Sequence, residues 1–574
     1  MSEQPTHPSP VAATGSASRP RLVYEALADA FALEGVTASF TLMGDGNMHF
    51  ATLLAQKPGV RTYMVRHEHA AVAAASSYAR ASGEVGTASI TCGPGLTQLS
   101  TALVTAVYAR IPLVILAGEC PLDKSWDGQW IEQAPIVTAT GAHYIHAHSM
   151  PRMQDFVRDA FYIARTEQRP VVIGVPYDLQ ARPFEGSRPY RPSTDFIPRL
   201  QPLLPHPVEL AEAADAIRAA RRIALIGGRG VMASGAEELC RAFAARFDGL
   251  LSTTLLARGM FDDDPFSLGI AGGYATAVAR ETFAEADLVI AVGASLSSHT
   301  LDGGKLFPRA KLLQIDTAPV GLRHALKTAD LYLRADAREA LSALLDTLRD
   351  QPARPAVWRS NALAERIRTE PPDPTVVERT DDYLDPREAV RALDEVLPRD
   401  WILVNGTGHS ATFSAHMRGR RPEDFVTIRD FGAVGNGLSY GIGVAAAHPD
   451  RTVVVIDGDG GVMMHVQELD TIRRHGLRIL VCALNDGAYG PELHRLRHDG
   501  IDEWGSVFGR GDLGRVAQGF GLDGRIIRRT DELSAALDAF QSTPGGALWD
   551  VHISDQVVAA RMRRTLAAHG APAR

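Results

Sequence analysis

Residues 451–490 read RTVVVIDGDGGVMMHVQELDTIRRHGLRILVCALNDGAYG. Thr452 to Ile456 is a short, β-branched apolar run, the pattern of a buried strand. It enters Asp457-Gly458-Asp459-Gly460-Gly461. Val462, Val466, Leu469 and Ile472 then recur at helical spacing, and Gly476 after His475 supplies a helix stop. A second apolar run, Ile479 to Leu484, ends in Asn485-Asp486-Gly487. The stretch predicts a strand, a glycine turn, a helix and a second strand. Acidic residues then stand at the carboxyl ends of both strands.

Such a βαβ unit suits a metal-bound diphosphate. Glycines let backbone N–H groups approach phosphate oxygens, and a helix N-terminus adds a favourable dipole. A carboxylate there would repel a bare phosphate, so Asp459 calls for a cation between them. Mg²⁺ prefers oxygen ligands shared between carboxylates and phosphates, and Asp486 on the adjacent strand offers a second one. The alternative is that Asn-Asp-Gly is an ordinary turn.

Gly458-Asp459-Gly460 followed by Asn485-Asp486 resembles the GDG…NN signature of thiamine diphosphate (ThDP) enzymes. By position, the resemblance implies a metal held by Asp459, Asp486 and the carbonyl of Ala488. This sequence carries Asp486 where the family usually has Asn. The distant segments Arg66-His67-Glu68-His69-Ala70-Ala71, Tyr78-Ala79-Arg80-Ala81, Cys92-Gly93-Pro94-Gly95 and Ile111-Pro112-Leu113-Val114-Ile115-Leu116 resemble the pyrimidine-binding domain of acetolactate synthase and its relatives. In that family the acid of this motif, here Glu68, activates the cofactor through the N1′ ring nitrogen. Alone, Glu68 reads as an acid at a helix start. The family also places amides near the substrate. Gln98 is one candidate, and Glu132 and Gln133 are both candidates for another.

Composition bounds the remaining classes. At 574 residues the chain should hold about three or four domains. Hydrophobic residues at 45% and charged residues at 22% are ordinary for a soluble globular protein. A formal net charge of −8 gives no basic footprint for nucleic acid. Cys92, Cys120, Cys240 and Cys482 lack metal-ligand spacing and read as free thiols of a reducing cytoplasm. No apolar run approaches the ~20 residues of a membrane span. Residues 1–20 read as a disordered tail.

Taken in order, residues 21–185 form the expected pyrimidine-binding domain, with Gly44-Asp45-Gly46 as a strand-to-helix turn facing the site. A proline-rich linker, 186–205, leads to a central α/β domain over 206–350. Its Gly227-Gly228-Arg229-Gly230 turn is weak evidence for a nucleotide. Some relatives bind FAD here through an arginine-bearing segment, but this chain has Ser295-Leu296-Ser297-Ser298. FAD is therefore doubtful, and a structural domain is expected. The diphosphate-binding domain is expected over 385–555, and a basic tail, 556–574, either covers the site or is disordered. Asn405-Gly406-Thr407-Gly408-His409-Ser410 could meet the diphosphate from the other side, with Thr407 and Ser410 beside it. His409 would bond phosphate or sit over the substrate, and Ser410 alone reads as a helix N-cap. The segment Phe431-Gly432-Ala433-Val434-Gly435 resembles the one in which an apolar side chain, here Val434, wedges between the cofactor rings. There the Gly432 carbonyl would accept from the 4′-amino group. Glu492 falls where pyruvate decarboxylase-type relatives carry an acid that acetolactate synthases lack.

The expectation is an α/β protein of three parallel-sheet domains, acting as a homodimer or homotetramer with Glu68 of one subunit meeting the metal site of the other. The expected reaction is ThDP- and Mg²⁺-dependent decarboxylation of a 2-oxo acid with transfer of the acyl anion equivalent to an acceptor carbonyl. The alternatives are simple decarboxylation, cleavage of a 2-hydroxy ketone, and a silent cofactor-binding homologue.

Overall fold

The computed structural model describes residues 19–318 and 329–570; most of the predicted N-terminal tail lies outside them. Three six-stranded sheets follow one another, and every strand pairing within them is parallel. The first contains β1 (Ala38–Thr41), β2 (Arg61–Met64), β3 (Gly86–Ile90), β4 (Leu113–Glu119), β5 (His143–His146) and β6 (Pro170–Pro176) in the order β2-β1-β3-β4-β6-β5. The second contains β7 (Ile223–Gly227), β8 (Leu250–Thr253), β9 (Ser267–Ile270), β10 (Leu288–Val292), β11 (Lys311–Asp316) and β12 (Leu331–Arg334), ordered β12-β11-β10-β7-β8-β9. The third contains β13 (Ile402–Asn405), β14 (Phe425–Val426), β15 (Val453–Gly458), β16 (Ile479–Asn485), β17 (Asp523–Ile527) and β18 (Ala547–His552), ordered β14-β13-β15-β16-β18-β17. The first and third sheets therefore share one topology.

In such sheets the chain leaves neighbouring strands in opposite directions at one point, and ligands bind in the crevice that opens there. In the third sheet that point lies between β13 and β15. The loops leaving these strands are Gly406–His409 and the turn at Gly458-Asp459-Gly460. In the first sheet it lies between β1 and β3, which lead into Gly44-Asp45-Gly46 and Cys92-Gly93-Pro94-Gly95. In the central sheet it lies between β7 and β10, and backbone fills it. The Gly228 and Gly230 N–H groups donate to the Val292 and Gly293 carbonyls at 2.8 and 3.0 Å. A Cβ on Gly228 would stand 2.2 Å from the Gly293 oxygen.

The first and third domains are joined by two helices. Glu68–Ser82 starts at His67, whose Nδ1 accepts from the His69 N–H at 3.1 Å, and stops at left-handed Gly83. Its alanine run lets a second helix, Gly437–Ala447, approach closely. A Cβ on Gly443 would lie 2.0 Å from the Ala74 carbonyl oxygen and 2.2 Å from Ser77 Oγ, and one on Gly441 would lie 2.5 Å from Val455. The two domains accordingly share a continuous apolar core, with Ala70 to Ala75 and Leu438 to Val455 in one cluster.

One sequence expectation is corrected, and one open alternative is narrowed. The helix after the glycine turn is two helices, Asp459–Met464 and Glu468–Arg474. His465 leaves the helical conformation between them, with φ −129°. The C-terminal segment holds an ordered helix, Ala560–His569. Arg561 of that helix bonds Tyr274 Oη at 3.3 Å, and Arg564 bonds the Gly273 carbonyl at 2.7 Å.

Gly443→Ala is expected to force the helix pair apart and to cost about 1–3 kcal/mol through overpacking. Gly519→Ala, in a helix with open space around the new methyl group, should not destabilise the chain. Denaturant unfolding of both variants checks this; an unchanged midpoint for Gly443→Ala would show that the helices do not set the domain spacing.

Candidate active site

The glycine turn after β15 is built around an acid that the sequence reading passed over. Asp457 is fully buried, and Cβ atoms on Gly406, Gly437 and Gly461 would each come within 2.8 Å of its carboxylate. Gly458 N–H donates to its Oδ1 at 2.9 Å. Burial pushes this carboxyl up to about 7. Asp457 thus fixes the backbone on which Asp459 stands. Its signal in the sequence is an acid ending an apolar strand among glycines.

Asp459 and Asp486 are brought together as expected, and both are buried. Asp459 Oδ2 accepts from the Gly487 N–H at 2.9 Å, and Asp486 Oδ1 lies 3.3 Å from the Ala488 nitrogen. Burial raises both pKa values, and for Asp459 the charge of Asp486 raises it further, to about 8. Two buried carboxylates that oppose each other's ionisation are a hard-oxygen donor set that a divalent cation would relieve. Asn485 holds the loop rather than facing it: its Nδ2 donates to Asp550 Oδ1 at 2.7 Å and to the Arg510 carbonyl at 2.8 Å.

On the opposite loop, His409 is buried and its Nε2 accepts from the Ala559 N–H at 2.9 Å. Burial lowers its pKa to about 3, so the ring is neutral with its proton on Nδ1. A Cβ on Gly490 would lie 3.0 Å from that Nδ1 and 3.1 Å from Asp486 Oδ2, so ring and carboxylate face the same small gap. Ser410 does not cap its helix; it is the first helical residue, and its Oγ lies 3.4 Å from a Cβ built on Gly458. Thr407 is half-buried beside Gly408, which has φ +114° and nothing within 4 Å of its Cβ position.

Gly460 is covered by Tyr489 and Phe508, and Gly435 by Met464. Val434, Met464 and Phe431 stay 39%, 46% and 46% exposed. Gly432 has φ +78° with nothing within 4 Å of its Cβ position. Open glycines, buried oxygen donors and an apolar rim fit a diphosphate cofactor with an apolar ring system.

Glu68 is half-buried at the start of its helix, and a Cβ on Gly95 would lie 3.4 Å from its Oε1. Gln98 ends the short helix Pro94–Thr97 and is exposed. Glu132 is exposed, whereas Gln133 is buried and structural. The Gln133 Oε1 accepts from the Gly93 N–H at 2.9 Å, and its Nε2 donates to the Gly118 carbonyl at 3.0 Å. Glu492 is exposed on the first turn of the helix Gly490–Asp499. Sequence reasoning also missed Glu468, whose buried carboxylate receives the Arg66 N–H at 3.0 Å and ties the Glu68 strand end to the third domain.

Comparison with known proteins accords with this geometry. Three family models match in order: the N-terminal TPP binding domain of thiamine pyrophosphate enzymes over residues 21–139, their central domain over 210–344, and their C-terminal TPP binding domain over 406–551. The chain is 30% identical to a probable acetolactate synthase 2, chloroplastic, of Oryza sativa subsp. japonica, over 91% of this chain and 81% of that one. It is 31% identical to an acetolactate synthase large subunit of Parasynechococcus marenigrum, over 92% and 87%. The chain belongs to the thiamine diphosphate-dependent enzymes and is acetolactate synthase-like. Among the described residues no helix is long and apolar enough to cross a membrane, and the four cysteines are free.

The raised carboxyl pair predicts a pH signature. A carboxyl raised by folding stabilises the fold fully below the ordinary carboxylate range and loses that contribution as pH rises through its folded value. Without metal, thermal stability should therefore fall as pH climbs from about 4 to about 8. Mg²⁺ with ThDP should reverse the trend, since binding requires both carboxylates ionised. Melting curves across pH for the parent and Asp459→Ala check this; a variant with the same slope and the same Mg²⁺ response would remove Asp459 as the source.

Proposed function

We propose that the protein decarboxylates a 2-oxo acid and transfers the two-electron acyl fragment to an acceptor carbonyl, using ThDP and Mg²⁺. The observation that carries this reading is the buried Asp459–Asp486 pair beside two glycine loops at the switch point of the third sheet. The carboxylates of Asp459 and Asp486 with the Ala488 carbonyl would hold Mg²⁺. Backbone N–H groups of Gly458, Gly460 and Gly461, with Thr407, His409 and Ser410, would take the diphosphate. Gly432 and Val434 would receive the ring system, Gly432 through its carbonyl and Val434 through apolar contact. When bound, ThDP would supply a thiazolium ring able to accept the electron pair released as carbon dioxide leaves.

The remaining work falls to side chains. Glu68 would hold and shuttle a proton at N1′ of the aminopyrimidine. His409, neutral and with its acceptor nitrogen already used, can only donate from Nδ1. The exposed rim of Phe431, Val434 and Met464 supports a homodimer or homotetramer in which a second copy covers the site and excludes water. The free thiols and the lack of a basic footprint support a cytoplasmic enzyme acting on small molecules. The filled central crevice supports a structural role for that domain without FAD. A stoichiometric flavin absorption spectrum in the purified protein would overturn that part.

Glu492 favours a second reading, in which the fragment is protonated and released as an aldehyde. Its exposed carboxylate stands two residues beyond Gly490, which borders both Asp486 and His409. Glu68→Gln should slow hydrogen–deuterium exchange at carbon 2 of bound ThDP and every later step. Glu492→Gln should leave that exchange intact. A general acid is worth roughly 10²–10⁴-fold, so aldehyde release should fall far more than ligation. The aldehyde-to-ligation ratio with pyruvate and a panel of acceptors measures this. An unchanged ratio would make Glu492 a surface residue and leave the ligase reading alone.

A further inference from the structure

Strand β6 places a glycine, Gly174, between the ends of β4 and β5. A Cβ there would lie 2.3 Å from Glu119 Oε1 and 2.0 Å from Tyr144 Oη. The missing side chain lets residues two strands apart meet over the sheet. His146 ends β5, and the ring of His148, two residues on, lies beside it with centroids 5.3 Å apart. His148 Nε2 lies 2.5 Å from Glu119 Oε2, and His146 Nδ1 lies 3.5 Å from Glu119 Oε1. The three ligand atoms lie within 4.8 Å of one another.

We propose that Glu119, His146 and His148 form a binding site for a borderline divalent cation of the Zn²⁺ class, separate from the Mg²⁺ site. Two imidazoles and one carboxylate are the donor types of open zinc sites, leaving a fourth position for water. Tetrahedral bonds of ~2.0–2.1 Å need ligand atoms ~3.3 Å apart. The imidazole side chains are 49% and 38% exposed and can rotate to close that gap, while the Glu119 side chain is 12% exposed and fixed. Its fixity comes from outer partners. Tyr144 Oη donates to Glu119 Oε1, and Gln133 Nε2 donates to Tyr144 Oη at 3.0 Å. Such partners orient a ligating carboxylate. Binding replaces the His148–Glu119 hydrogen bond with bonds to the metal.

The test titrates Zn²⁺, and separately Co²⁺, into the full-length protein held in excess Mg²⁺ and ThDP. The parent should take up a saturable zinc and give the intense visible band of tetrahedral Co²⁺. The double variant His146→Ala/His148→Ala changes only exposed side chains and should lose both. Tyr144→Phe should weaken zinc by roughly 10–100-fold. Asp459→Ala should retain the site, because it lies in another domain. Equal zinc uptake by parent and double variant, loss of uptake in Asp459→Ala, or no tetrahedral Co²⁺ band would each overturn the proposal and leave a proton-bridged His–Glu pair.

Discussion

The closeness of two helices governs the molecule. Helix Glu68–Ser82 is nearly all alanine where it meets Gly437–Ala447, and Gly443 stands where any methyl group would strike the Ala74 carbonyl. Small side chains gain little area each, but they allow backbone-to-backbone approach and an unbroken core across two domains. The same helices begin at functional ends. One opens with Glu68, and the other follows the Gly432–Val434 segment. Spacing set by alanine and glycine therefore becomes spacing between chemical groups. Just before the first helix, the Arg66 N–H donates to the carboxylate of Glu468 on a third helix, Glu468–Arg474, a further tie between the two domains.

The repeated sheet order explains how one chain carries two half-sites. The first and third sheets reverse direction between equivalent strands, and each opens a crevice lined by glycine loops. In the third, buried acids occupy the crevice; in the first, Glu68 and Gly95 border it. The central sheet has the same kind of crevice but closes it with Gly228, Gly230 and Gly293 packed backbone to backbone. Glycine serves opposite purposes here. It leaves room where a loop is open and removes room where two loops touch.

Most of the architecture was legible because parallel strands buried on both faces read as apolar runs ending in glycine. Thr452–Ile456 and Ile479–Leu484 were placed to within two residues of β15 and β16. The pairing of Asp459 with Asp486 was legible because both acids stand at the ends of adjacent parallel strands. The break at His465 was not, since Val466, Leu469 and Ile472 keep helical spacing across it and only the side chain's seat near His67 and His69 distinguishes it. Gln98 and Gln133 look alike in sequence, yet one is exposed and one is buried in a hydrogen-bond network; tertiary contact alone separates them. The shared topology of the first and third sheets was equally hidden, because strand order is set by crossovers that leave no local pattern. The C-terminal helix carries too much arginine to read as packed, and its order comes from Tyr274, Asp373 and backbone carbonyls contributed by distant segments.

That last helix gives the chain an unusual mechanical connection. Its leading residue, Ala559, holds His409 through a backbone N–H, while Arg561 and Arg564 grip the central domain at Tyr274 and Gly273. The segment thus links the loop that carries His409 to the central domain. Energetic coupling through such a link is reciprocal. A displacement of the central domain that moved this helix would therefore reach the Ala559 N–H that positions the His409 ring, with only one short helix between them.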